Sequence, residues 1–108
     1  FGLRVTGPAG ETLAFSGDTA MCDELIDLAA DADLFLCEAS WTRAPSERPP
    51  HLHLSGIEAG EAATKANVKA LALTHIAPWS DVDAIVAEAT STYSGPIHLM
   101  HQGQVIDL

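Results

Sequence analysis

Two short runs of apolar residues among polar ones, 2–6 and 12–16, open the chain as predicted strands, and the Gly7-Pro8-Ala9-Gly10 stretch between them reads as a hairpin turn. From Met21 to Ala30 the apolar positions Leu25, Ile26, Leu28 and Ala29 recur at helical spacing. Asp23 and Glu24 stand there near the positive end of the helix dipole, where acids are favoured. Asp33–Glu38 carries the run Leu34-Phe35-Leu36-Cys37, which predicts a buried strand. Thr42–Pro50, with Pro45, Pro49 and Pro50 among its charges, suits neither helix nor central strand and is expected to be the one long loop. Ser55 and Glu58 have capping-box spacing and open a helix through Glu61, Ala62, Ala63 and Ala66, which Asn67 ends. Residues 69–74 form an Ala/Leu/Val strand, Asp81 caps a helix running to Ser91, and two last strands, Ile97–Met100 and Val105–Leu108, flank Gln102-Gly103. Helices between short buried strands predict a layered α/β fold.

At 108 residues and 47% hydrophobic content the chain is one small domain with enough apolar material for a core. Its net charge of −10 repels a phosphate backbone, and the five basic residues Arg4, Arg43, Arg48, Lys65 and Lys69 are scattered, so a long nucleic-acid track is not expected. Cys22 and Cys37 are too few for a disulfide framework and read as reduced, packed thiols. No apolar run approaches the roughly 20 residues of a membrane span, and no charged-then-apolar leader is visible, which predicts a soluble cytoplasmic protein. The start at Phe1, in strand-like sequence without Met, predicts a piece of a longer chain.

Chemistry concentrates where strands end. Ser16-Gly17-Asp18-Thr19 follows the second strand and Leu73-Thr74-His75 closes a later one, so a carboxylate and an imidazole are carried to the rim of a sheet, where sites of α/β proteins are usually built. His75, on a rigid apolar mount with Pro78 fixing the exit path, reads as a metal-capable residue. Asp18 reads equally as a ligand or as a turn acid capping the next helix. His51 and His53 form an H-x-H pair without a third ligand nearby; His51 reads as a loop residue, and His53, just ahead of a helix, as catalytic. His98 and His101 read as structural.

Taken in order, Ser16-Gly17-Asp18-Thr19, Asp33 to Ser40 with its Cys37-Glu38-Ala39-Ser40 ending, His53-Leu54-Ser55 and Leu73-Thr74-His75 resemble the C-terminal half of the metallo-β-lactamase fold. The branch they resemble is that of ribonuclease Z and related phosphodiesterases. The resemblance implies half of a four-layer αββα sandwich, a mixed sheet with helices on one face. It implies two divalent metal ions, Zn²⁺ first with Mn²⁺ or Fe as alternatives, Asp18 as the carboxylate bridging them and His75 as a terminal ligand. Glu38, in a segment similar to the family's His-Glu-Ala-Thr, would orient His53, which matches the His of the family's His-Ser-Thr motif.

The family's His-x-His-x-Asp-His motif belongs to the N-terminal half and is absent from these 108 residues, so this piece alone is expected to be inactive. Ribonuclease Z follows its last ligand with a Phe-Ser-x-Arg-Tyr type segment, whereas His75 is followed by Ile76-Ala77-Pro78-Trp79-Ser80. That ending looks more like members linked to cyclic-nucleotide phosphodiesterase activity. The leading expectation is therefore a metal-dependent phosphodiesterase acting on a small substrate such as a 3′,5′-cyclic nucleotide. A tRNA 3′-processing endonuclease of the ribonuclease Z type is the alternative. A third expectation is an inactive fragment that self-associates, as a homodimer, through the sheet face that the other half would cover.

Overall fold

The computed structural model describes residues 1–43 and 52–108. Pro45, Pro49, Pro50 and His51, with most of the expected loop, lie outside the described residues. Strands β1 (Leu3–Thr6), β2 (Thr12–Phe15), β3 (Leu34–Glu38), β4 (Leu71–Thr74) and β5 (Ile97–Leu99) alternate, after the first pair, with helices α1 (Asp23–Ala29), α2 (Gly56–Ala66) and α3 (Val82–Thr92). The strands form one mixed sheet in sequential order, β1-β2-β3-β4-β5, with β1 antiparallel to β2 and every later neighbour parallel. Each β-α-β step moves one strand in the same direction, and right-handed crossovers then lay all three helices on one face. This is the α/β half-sandwich that the sequence predicts.

The register shows which side chains meet those helices. Arg4, Ala14, Phe35, Leu71 and Ile97 are aligned across the sheet. Ala14, Phe35, Cys37, Leu71 and Leu73 belong to the core, with Leu25, Ala29, Ala59, Ala63, Ile85 and Ala89 of the helices. Arg4, at the edge of this row, has its guanidinium Nη1 donate to the Leu28 carbonyl at 2.7 Å. The neighbouring row, Leu3, Phe15, Leu36, Ala72 and His98, faces the side without helices. Leu3 and Val5 of that side are exposed.

α2 begins as expected: the Ser55 hydroxyl accepts from the Glu58 amide at 3.2 Å while the Glu58 carboxylate accepts from the Ser55 amide at 3.0 Å. Asn67 ends it in the left-handed conformation, φ +56°. Asp81 caps α3 by accepting from the Ala84 amide at 3.1 Å. α1 starts two residues later than expected, and the Cys22 side chain at its cap makes no capping bond. The two long helices touch through small residues. A Cβ at Gly60 would lie 2.6 Å from the Ala89 carbonyl oxygen and closer still to Thr92 Oγ1, so only glycine permits this approach.

One expected strand does not form. Residues 105–108 run without strand pairing, and Val105 and Leu108 are exposed. The turn before them forms, with the Gln104 amide donating to the His101 carbonyl at 3.1 Å and Gly103 at φ +83°. Sheet pairing stops at β5, the edge strand, and apolar composition alone does not add a further strand without a face to cover. Cys22 also departs from expectation: it is exposed, and only Cys37 is a packed thiol.

Two outcomes follow from this packing. Gly60→Val should separate α2 from α3 and lower the unfolding free energy by about 1–3 kcal/mol, measured by urea denaturation. Burial, and then the neighbouring Glu38 charge, push the Cys37 thiol far above its ordinary pKa. Mass spectrometry after iodoacetamide treatment near neutral pH should therefore find Cys22 alkylated and Cys37 intact, and rapid labelling of Cys37 in the folded protein would contradict the packing.

Candidate functional site

Because β2, β3 and β4 are parallel, their C-terminal ends share one edge of the sheet. Asp18 lies three residues beyond β2, Glu38 is the last residue of β3, and His75 directly follows β4. His53 arrives separately, two residues ahead of the Ser55 cap of α2. The chain brings all four together. His75 Nδ1 is 3.4 Å from Asp18 Oδ1, His53 Nδ1 is 2.9 Å from Glu38 Oε1, and the two imidazole centroids are 5.3 Å apart.

Glu38 is completely buried, and its carboxylate is fully subscribed. Oε1 accepts from the Thr19 amide at 2.7 Å and from His53 Nδ1 at 2.9 Å, and Oε2 accepts from Ser40 Oγ at 2.9 Å and from the Leu54 amide at 3.1 Å. A carboxylate only accepts, so the proton on the His53 ring that faces it sits on Nδ1, and Nε2 remains for other work. Trp41 packs edge-on against the same ring, with centroids 5.1 Å apart and planes at 87°. His53 is thus held by a hydrogen bond on one side and an aromatic edge on another.

His75 is mounted differently. Its backbone adopts φ +56°, a left-handed conformation that costs of order 1–3 kcal/mol for a non-glycine residue and persists only when its surroundings hold it. Ser40 supplies contacts on both sides of this turn. Its hydroxyl lies 3.0 Å from the His75 carbonyl oxygen and 3.1 Å from Nδ1, and its own carbonyl accepts from the Ala77 amide at 3.1 Å and from Ser80 Oγ at 3.0 Å. The His75 and Asp18 side chains are 48% and 66% exposed, so both have open sides that a ligand can approach. Ser40, Trp41, His53, His75, Ile76 and Trp79 line a cleft of about 230 Å³.

Glu38, His53 and His75 form a possible metal-binding group, with one ligand atom from each within 4.8 Å of the others. The hydrogen bonds discriminate within it. Four donors already occupy Glu38, and a cation there would have to displace them, whereas Asp18 and His75 offer an oxygen and a nitrogen without that cost. An oxygen and an imidazole nitrogen at one rim suit a hydrolytic metal ion, although two donors are fewer than such a site requires.

Every sequence-predicted site residue converges on this rim, while His98 and His101 stay outside the group, the first in β5 and the second in the following turn. Sequence reasoning gave no role to Ser40, Thr19 or Leu54. Ser40 had a usable signal, since it stands two positions beyond Glu38 and strand alternation sends both side chains the same way. The Thr19 and Leu54 contributions are backbone amides, for which side-chain identity carries no signal.

Residues 1–76, which contain all four site residues, match the family model described as "Beta-lactamase superfamily domain". The chain is 52% identical, over its whole length, to an uncharacterized protein of Mycobacterium leprae, of which it covers 38%. It is 36% identical over 96 residues to a ribonuclease Z of Halobacterium salinarum, covering 31% of that protein. In fold it is similar to the metallo-beta-lactamase fold protein YhfI from Bacillus subtilis, with a TM-score of 0.80, 22% identity and coverage of 95% of this chain and 46% of that one. The chain therefore spans between about a third and a half of the proteins it matches.

The saturated carboxylate makes a measurable claim. Glu38→Gln keeps the shape but turns one acceptor oxygen into a donor, leaving two of the four donors unmatched. It should lower the unfolding free energy by about 2–6 kcal/mol, at about 1–3 kcal/mol for each orphaned group. A loss under about 1 kcal/mol in a urea titration would show that Glu38 is not the acceptor on which the four groups depend.

Proposed function

This chain belongs to the beta-lactamase superfamily domain family, metal-dependent hydrolases by fold, and on that premise we propose that the full-length protein hydrolyses phosphodiester bonds. The observation that carries the reading is the pairing of two unlike couples on one rim, Asp18 with His75 at 3.4 Å and His53 with Glu38 at 2.9 Å. Asp18 and His75 would hold the metal, Zn²⁺ in the first instance with Mn²⁺ or Fe as substitutes, together with ligands from outside these residues. Bound metal supplies Lewis-acid polarisation of the phosphate and a lowered pKa for attacking water.

The rest of the step falls to this chain. Glu38 fixes the His53 ring through Nδ1, and Nε2 of the protonated ring donates to the leaving alkoxide. An alkoxide is a poor leaving group, so a held proton donor matters more here than it would for an activated ester. Trp41 restricts the ring to one orientation while this transfer occurs.

Between the two substrate classes, the ribonuclease Z relatives support a ribonuclease Z-like endonuclease acting at tRNA 3′ ends more than they support a small-substrate enzyme. This reverses the order expected from the residues after His75. A second reading, hydrolysis of a small phosphodiester such as a cyclic nucleotide, is favoured by the net charge of −10 and by the absence of Lys and Arg from the described residues lining the cleft.

Asp18→Ala in the full-length protein should strip metal, read by elemental analysis, and abolish turnover. His53→Ala should retain the metal and lower kcat about 10²–10⁴-fold. Metal loss in His53→Ala would overturn this division of roles. A panel of precursor tRNA, cyclic nucleotides and bis-aryl phosphates, assayed with Zn²⁺ and with Mn²⁺, separates the substrate classes: cleavage of tRNA supports the first reading, and cyclic-nucleotide hydrolysis without tRNA cleavage replaces it with the second.

A further inference from the structure

We infer that Ser40 is a positioning residue that fixes both the left-handed turn at His75 and the tautomer of its ring, so that Nε2 is presented bare to a metal ion. The inference rests on the reading of His75 as a metal ligand. Ser40 is only 3% exposed, and its hydroxyl meets three neighbours at once: Glu38 Oε2 at 2.9 Å, the His75 carbonyl oxygen at 3.0 Å and His75 Nδ1 at 3.1 Å. The hydroxyl has one proton. The carboxylate and the carbonyl can only accept, so they compete for it, and the ring nitrogen is the one neighbour able to donate in return.

A second observation gives the same proton placement. Asp18 Oδ1, also acceptor-only, lies 3.4 Å from that nitrogen. A bare Nδ1 would face lone pairs from the Ser40 hydroxyl and, at 3.4 Å, from the Asp18 carboxylate, whereas an Nδ1–H can donate to Ser40 Oγ with the Asp18 charge nearby. The proton therefore sits on Nδ1, which leaves the lone pair on Nε2, the arrangement by which outer hydrogen bonds orient metal-ligating imidazoles.

The same residue pins the backbone. Its hydroxyl lies against the His75 carbonyl, its carbonyl receives Ala77 N–H at 3.1 Å and Ser80 Oγ–H at 3.0 Å, and the preceding Ala39 amide donates to the Thr74 carbonyl at 3.0 Å. The left-handed residue is thus bracketed from positions 74 to 80 by Ala39 and Ser40, the two residues that follow β3. Through Glu38 Oε2, the hydroxyl also ties this bracket to the carboxylate that holds His53.

Two measurements on the full-length protein test this. Long-range ¹⁵N–¹H spectra of the metal-free wild type should show His75 with Nδ1 protonated and Nε2 bare, and the opposite tautomer would overturn the inference without any variant being made. Competition with a chromophoric chelator should show that Ser40→Ala weakens Zn²⁺ binding about 10–100-fold. Ser40→Thr, which keeps the hydroxyl, should stay within a few-fold of wild type. Unchanged Zn²⁺ affinity in Ser40→Ala, or equal damage in both variants, would overturn it. His75→Ala separates the two levels: if it leaves Zn²⁺ affinity unchanged, the reading of the site falls and the inference with it. Loss in His75→Ala without loss in Ser40→Ala removes the inference alone.

Discussion

A buried carboxylate at the end of the third strand organises this molecule's chemistry. Taking a charge out of water costs several kcal/mol even after relaxation, and Glu38 sits at zero exposure. What makes the placement tenable is four hydrogen bonds of 2.7–3.1 Å drawn from three different segments. Each segment is thereby located: the loop after β2 through Thr19, the stretch just beyond β3 through Ser40, and the approach to α2 through Leu54 and the His53 ring. The cost of burial is turned into order, because any segment that drifted would leave part of a charge unmatched.

The two imidazoles of the rim are then specialised by what their partners can do. His53 faces an acceptor that is saturated and inaccessible, which suits it to hold and release a proton. His75 faces a hydroxyl and an exposed carboxylate and retains an open side, which suits it to bind. On the proposed reading the same residue type would serve two purposes, the difference lying in burial and hydrogen-bond capacity and none of it in the ring. Proximity alone would have grouped Glu38 with the two histidines as a single ligand set.

Much of this was legible in the chain. Periodicity and capping signals located all three helices and five strands to within about two residues at most ends, because Ser55, Glu58, Asn67 and Asp81 act through local backbone bonds that the sequence encodes directly. The convergence of Asp18 and His75 was legible because parallel strands carry their C-terminal ends to one edge. The final strand was not, since pairing at a sheet edge depends on what lies beyond it, and the composition of residues 105–108 cannot report that. The amides of Thr19 and Leu54 were equally invisible, because every residue but proline has one.

The seam between α2 and α3 reaches further than its role in packing. Gly60 lets the two helices approach to the point where no side chain can be interposed, and that contact fixes where α2 lies against α3. His53 and Leu54 are the two residues immediately before that helix's cap, so the imidazole is mounted on a lever whose fulcrum is a pair of glycines, Gly56 and Gly60, on the far side of the cap. Enlarging a residue of that fulcrum would displace the His53 imidazole while touching neither Asp18 nor His75. Defects in turnover can therefore originate at sites that no inspection of the cleft would nominate.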